Sequence, residues 1–211
     1  CSPKFGRQMI DVELYEAKTL YPFQEKTVHS IVEELEKNGK NFNLLFQLPT
    51  GGGKTVIFSE IAKKIIETRN EKVLILTHRI ELSVQTSKQL HAIGVNNKII
   101  NSDVKTIPDQ SEYPCFIAMV ETLNNRLNED ENFIEGVGLV IVDEAHYNSF
   151  RKIFQFYEGC NILGVTATPL SSNKALPLND NYNKLIVGES ISNLIESGYL
   201  ANAETFTYDV N

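Results

Sequence analysis

Residues 48–55 read LPTGGGKT, three consecutive glycines followed by a lysine and a threonine, directly after the apolar run FNLLFQL. Removing three side chains in a row lets successive backbone N–H groups face one concavity, and a helix starting at its end adds the positive pole of its dipole. Such a concavity cradles a polyphosphate, and the run closes on the Gly-Lys-Thr of the phosphate-binding loop pattern GxxxxGK[ST]. In that role Pro49, Thr50, Gly51, Gly52 and Gly53 form the loop and Lys54 brings a point charge to the β and γ phosphates. The Thr55 hydroxyl offers one ligand to a Mg²⁺ that bridges those phosphates. Leu48 stands where the generic pattern has its first glycine, so the stretch alone departs from the pattern by one residue.

A second stretch, GLVIVDEAH at residues 138–146, is an apolar run that ends abruptly in two acids. A carboxylate at the tip of a parallel strand reaches the crevice where ligands of such sheets lie. Asp143 would then hold Mg²⁺, directly or through water, and Glu144 would orient a water and accept its proton as it attacks the γ phosphate. An isolated acid pair after a strand more often caps the next helix. The glycine loop is what gives this pair a chemical reading.

The elements that must position these groups follow from periodicity. Apolar runs predict strands over 43–48, 72–77, 97–100, 114–119, 137–142 and 161–166. Between them QEKTVHSIVEELEK, TVIFSEIAKKIIE, IELSVQTSKQLHA and VETLNNRL carry apolar residues at helical three-and-four spacing. Alternation of this kind predicts an α/β fold around a mostly parallel sheet. His29 and His91 fall on helical patterns and read as surface or partly buried helix residues, and Phe150, Phe154, Phe156 and Tyr157 read as packing against the sheet in preference to stacking bases. PLSSNKALPLNDN, residues 169–181, is the longest loop-like stretch, and the remainder of the chain reads as a short helix ending at Gly198 and a terminal extended piece.

With 211 residues and 42% hydrophobic composition, one full core is the default expectation. The net charge of -7 excludes nucleic-acid binding by bulk electrostatics, so any such contact must be local. Cys1, Cys115 and Cys160 are an odd, widely spaced set that supports neither a disulfide framework nor a zinc site, and no apolar run is long enough for a membrane span. The expected compartment is a reducing cytoplasm, with no membrane partner.

LPTGGGKT, VDEAH and GVTATP, the last at residues 164–169, resemble in order and spacing motifs I, II and III of superfamily 2 helicases and translocases. The resemblance is to the DEAD/DEAH-box-like group that includes type I and III restriction motor subunits and RadD-like repair helicases. It implies a three-layer α/β/α RecA-like lobe that uses ATP and Mg²⁺. LYPFQ, residues 20–24, resembles the segment in which a glutamine reads adenine, making Gln24 the base-recognition candidate, although the arginine common in this group is replaced by Tyr21. LTHRIEL, residues 76–82, resembles motif Ia, and VETLNNRL a later segment touching the nucleic-acid backbone, so the resemblance makes His78, Arg79 and Thr122 phosphate contacts. It makes His146, Thr166 and Thr168 residues that couple nucleotide state to a second lobe.

The resemblance divides the chain into an extension at 1–19, an ATP-binding domain at 20–183, and a helix and linker at 184–211 leading toward a second RecA-like domain. In such proteins the second lobe supplies an arginine to the transferring phosphoryl group, and nothing after Thr168 resembles its motifs. The expectation is therefore an N-terminal lobe with little or no turnover alone, acting on nucleic acid, DNA before RNA. Nuclease or methyltransferase partners go with the restriction branch. Two other readings stay open at this point: a different phosphate-loop ATPase, such as a protein-remodelling machine, and a module in which ATP gates nucleic-acid sensing.

Overall fold

The computed structural model describes residues 19–48, 53–143, 151–167 and 182–187. In chain order the elements are α1 (Pro22–Asn38), β1 (Asn43–Gln47), α2 (Lys54–Arg69), β2 (Lys72–Thr77), α3 (Ile80–Ala92) and β3 (Asn97–Ile100), then a single 3-10 turn. They continue with β4 (Cys115–Met119), α4 (Val120–Glu129), β5 (Val137–Asp143), α5 (Arg151–Phe154), β6 (Asn161–Thr166) and β7 (Lys184–Val187). All six strands expected from periodicity are present to within a residue at either end. The first helix starts earlier than its apolar spacing indicates, because Pro22 takes the first helical position, where its missing N–H costs nothing.

The strands form one sheet in the order β3-β4-β2-β5-β6-β1-β7, and every neighbouring pair is parallel. Parallel neighbours require crossovers, which helices supply from β1 to β6 except between β3 and β4, where the chain passes through the 3-10 turn. Side-chain alternation then splits the core in two. Leu44 and Phe46, Val73 and Ile75, Leu139 and Ile141 face the layer of α1, α2 and α3, meeting Ile57, Ile61 and Ile65 of α2. Leu45, Leu74, Leu76, Val140 and Val142 face the opposite layer, meeting Leu123 and Leu127 of α4 and Ile153 of α5. A strand buried on both faces reads as a continuous apolar run, which is why β2, β5 and β6 stand out in the sequence. Tyr157 is buried in the second layer with Phe154 and Phe156 against it, as the aromatic stretch predicts; Phe150 lies outside the described residues.

β7 was not anticipated. It pairs with β1 from Leu44 to Gln47 and is secured by Asn183, whose Oδ1 accepts from Asn43 N–H at 2.8 Å and whose N–H donates to Asn43 O at 2.7 Å. Lys184 adds a 2.7 Å ion pair to Glu34 of α1. The residues expected to form a helix ending at Gly198 lie outside the described residues.

At the N-terminal ends of the strands a polar network ties separate elements together. Asn161, fully buried, donates from Nδ2 to Gly39 O at 2.7 Å and Phe42 O at 2.8 Å, and its Oδ1 accepts from Arg69 Nη1 at 2.9 Å. Arg69 Nη2 lies 3.1 Å from Glu71 Oε2, and Glu71 fills the space over Gly138 that any side chain there would claim. One amide thus satisfies the turn between α1 and β1 and the end of α2. Asn161→Ala is expected to lower unfolding free energy by about 2–4 kcal/mol, because two carbonyls and a guanidinium lose buried partners. Urea denaturation with an unchanged m-value would register the loss; a midpoint within error of wild type would refute it.

Candidate nucleotide and nucleic-acid site

Because the strands all run one way, Gln47, Thr77, Met119, Asp143 and Thr166 finish at one edge of the sheet. Those sequence-derived candidates that fall among the described residues lie along that edge. Gly53 caps α2 in the left-handed region, φ 78° and ψ 46°, and a Cβ on it would run into the Gln24 amide nitrogen. Glycine is therefore required there twice, by backbone conformation and by the neighbouring side chain. Lys54, the first residue of α2, points across the end of β6, and its Nζ lies 3.4 Å from Asp143 Oδ1. The carboxylate is 2% exposed and the lysine side chain 20%.

Leu48 has its explanation here. It extends β1 by one hydrogen bond, its N–H donating to Thr166 O at 2.9 Å, and its side chain is wholly buried among the residues facing α1 to α3. The position that the generic pattern gives to glycine serves this chain as core. Thr166 is itself fully buried, opposite Gln47 in the β1–β6 pairing.

Gln24 sits in the first turn of α1, 4% exposed, its Oε1 accepting from the Tyr21 N–H at 2.9 Å. Gln24, Gly53, Lys54 and Asp143 are thus one contiguous group, linking α1, the start of α2 and the tip of β5. Thr55 follows in α2, half-buried. This set fits a magnesium nucleotide: an ammonium and the amide end of a helix suit phosphate, while a carboxylate and a hydroxyl are hard oxygen donors. No cluster of three or more His, Cys, Asp or Glu able to hold a metal occurs among the described residues. Mg²⁺ takes one or two protein oxygens and completes its shell with phosphate and water.

Further along the same edge, Arg79 caps α3, exposed, its N–H donating to Thr77 Oγ1 at 3.2 Å, with His78 half-buried before it. Thr122 is half-buried in the first turn of α4. Their parent strands, β2 and β4, are neighbours, with Thr77 opposite Met119, and β5 separates them from β6 and β1. The sheet order therefore sets His78, Arg79 and Thr122 to one side of Asp143 and the loop-side residues to the other. Pro49, Thr50, Gly51, Gly52, Glu144, His146 and Thr168 lie outside the described residues. Periodicity did not single out Thr77, which holds the turn after β2, or the capping bond between Gln24 and Tyr21. The signal for the latter was Pro22, which marks Tyr21 as the residue before a helix.

The family described as "Type III restriction enzyme, res subunit" matches residues 17–171. The chain is 29% identical to the putative ATP-dependent helicase IRC3 of Saccharomyces cerevisiae over 212 residues, covering 90% of this chain and 29% of that protein. It is 31% identical to a 51.5 kDa protein of a Lactococcus phage, covering 74% of this chain and 31% of that one. With the ATP-dependent DNA helicase mph1 of Neurospora crassa the identity is 27%, covering 77% of this chain and 15% of that one. The chain spans less than a third of the length of each of these relatives. Among solved structures it matches the UvsW helicase from bacteriophage T4 with a TM-score of 0.61 at 16% identity, over 88% of this chain and 68% of that one. The Pyrococcus furiosus Hef helicase domain matches with a TM-score of 0.61 at 22% identity, over 87% of this chain and 39% of that one. At these identities the likeness is one of fold, the RecA-like α/β fold.

Gly53→Ala is expected to cost at least about 1–2 kcal/mol for the left-handed conformation alone, and to displace Gln24 as well. Chemical denaturation measures the cost. Stability equal to wild type would mean that this turn relaxes freely.

Proposed function

We infer function from one premise: this chain belongs to the family of the type III restriction enzyme, res subunit. We propose that it is the N-terminal, ATP-binding lobe of an ATP-dependent helicase or translocase that moves on DNA. The observation that carries the proposal is the 3.4 Å approach of Lys54 to the buried Asp143 at the strand edge where α2 begins. A lysine and a carboxylate set there are a matched pair of sites, one for phosphate and one for the cation that accompanies it.

In this reading Pro49, Thr50, Gly51, Gly52 and Gly53 cradle the triphosphate and Lys54 exchanges carboxylate for phosphate as the nucleotide enters. Asp143 and Thr55 would hold Mg²⁺, which when bound would supply positive charge to the transferring phosphoryl group. Glu144, the residue after Asp143, orients the attacking water and takes its proton. Gln24 stands on the base side of the loop. His78, Arg79 and Thr122 grip backbone phosphates, a sequence-independent contact that a net charge of -7 tolerates because it is local. His146, Thr166 and Thr168 pass the nucleotide state to a second RecA-like lobe, whose closure and reopening shift the grip along the strand. The mph1 relative is named a DNA helicase and QP509L of African swine fever virus a putative RNA helicase; we propose DNA, and a nuclease or methyltransferase partner would place the motor in restriction. No helix among the described residues is long and apolar enough to cross a membrane, and we propose a cytoplasmic location.

In the full-length protein Lys54→Ala should weaken ATP binding at least about tenfold, whereas Glu144→Gln should retain binding and abolish turnover. Equilibrium binding and phosphate release separate the two effects, and wild-type turnover by the Glu144 variant would remove it from catalysis. The 211-residue chain alone is expected to hydrolyse ATP little or not at all, for want of the second lobe's arginine. Brisk hydrolysis stimulated by nucleic acid in this chain would contradict that dependence.

A further inference from the structure

α3 is turned inside out over most of its length. Its fully buried side chains before Leu90 are all polar, Ser83, Thr86 and Gln89, while Leu82 is half-buried. The aliphatic side chains of Ile80 and Val84 stand in solvent instead, 65% and 40% exposed. A helix packed on a sheet ordinarily does the reverse, setting its apolar stripe on the core and its polar residues outward. Among the described residues Tyr21 is the one other large hydrophobic side chain so exposed, so the pair on α3 is a local feature.

Spacing makes the two residues one surface. They are four apart, so one lies above the other on the same face of the helix. Arg79, exposed, directly precedes Ile80 as the N-cap, and its turn is fixed by the bond from its N–H to Thr77 Oγ1. A cation therefore leads straight into an apolar ledge, at the edge where the strands end. Whatever covers that ledge must bring apolar surface and negative charge together. Two aliphatic side chains are too few to hold a protein partner, because stable protein interfaces bury about 800 Å² on each side. A nucleic-acid strand meets both demands, since its phosphates are anionic and its sugars present C–H faces between them.

We propose that Ile80 and Val84 form a sugar-selecting ledge beside Arg79, one that admits deoxyribose and disfavours ribose. The inference rests on the nucleic-acid motor proposed above and supplies a physical source for its choice of DNA. The 2′-hydroxyl is the group by which a protein tells the two strands apart. Neither aliphatic side chain can donate or accept a hydrogen bond. A 2′-hydroxyl pressed onto them loses water and gains no partner, whereas the deoxy sugar presents C–H there.

The test measures equilibrium binding of the full-length protein to strands of one sequence, made as DNA and as RNA, at fixed salt. Wild type should hold DNA about tenfold more tightly, the effect of one hydroxyl left without a partner. Ile80→Asn, which offers the sugar a donor and an acceptor, should bring the two affinities within about threefold, and Ile80→Leu should keep the preference. Val84→Asn should narrow the ratio as well, so the result does not hang on one variant folding. Arg79→Ala should weaken both strands alike and lower the salt slope by about one. Equal wild-type affinity for the two strands, or a preference that survives both Asn variants, would overturn the proposal. So would an unchanged ratio in Ile80→Asn accompanied by dissociation of an oligomer, which would make the ledge a contact between copies. Binding to neither strand, alone or annealed to its complement, would bring down the motor function and this inference with it. Binding to both, in a ratio independent of Ile80, would overturn the inference alone.

Discussion

Parallel pairing across β1, β6 and β5 is the constraint on which the site depends. Gln47 lies opposite Thr166, and Val165 opposite Asp143, so the three strands end nearly level. Two inter-strand spacings, roughly 10 Å, separate β1 from β5. The gap is closed by a long side chain thrown back across β6 from the first turn of α2, which is why the cation must be a lysine on a helix immediately after a glycine turn. A shift of one residue in either pairing would turn Asp143 to the opposite face of the sheet, and the ion pair could not form. The chemistry is thus held in place by hydrogen-bond register, and the register by apolar residues that alternate between two helical layers.

Much of this architecture was legible beforehand, for physical reasons. β2, β5 and β6 are buried on both faces, so they appear as unbroken apolar runs whose ends are marked by the first polar residue, Thr77, Asp143 or Thr166. The helices show because each buries one stripe. The resemblance of motifs I, II and III to superfamily 2 helicases is borne out by the family match, and the expected RecA-like fold by the structural neighbours. The α/β/α layering follows from the two core clusters.

What stayed hidden depends on contacts between distant residues. β7 is four residues long, and its pairing with β1 depends on Asn183 meeting Asn43, 140 residues away. Asn161 looks like any polar residue between strands until the turn after α1 and the end of α2 come to its amide. Gln24 reads from sequence as a base contact, whereas its cap on Tyr21 becomes visible only with the start of α1 in place. Leu48 looked like a flaw in the phosphate loop because a pattern match knows nothing of burial. In the fold it is the last core residue of β1.

β7 has a mechanical consequence. Among the described strands it pairs with β1 alone, and β1 is the strand that precedes the glycine run of residues 51–53. Tension carried along the chain beyond Val187 would load this short parallel ladder in shear, spreading across its hydrogen bonds together instead of unzipping them one at a time. Such a pull would arrive first at β1, the strand that precedes the glycine run. β7, at one edge of the sheet, would then serve as a short tendon between the C-terminal part of the chain and the strand that leads into the glycine run.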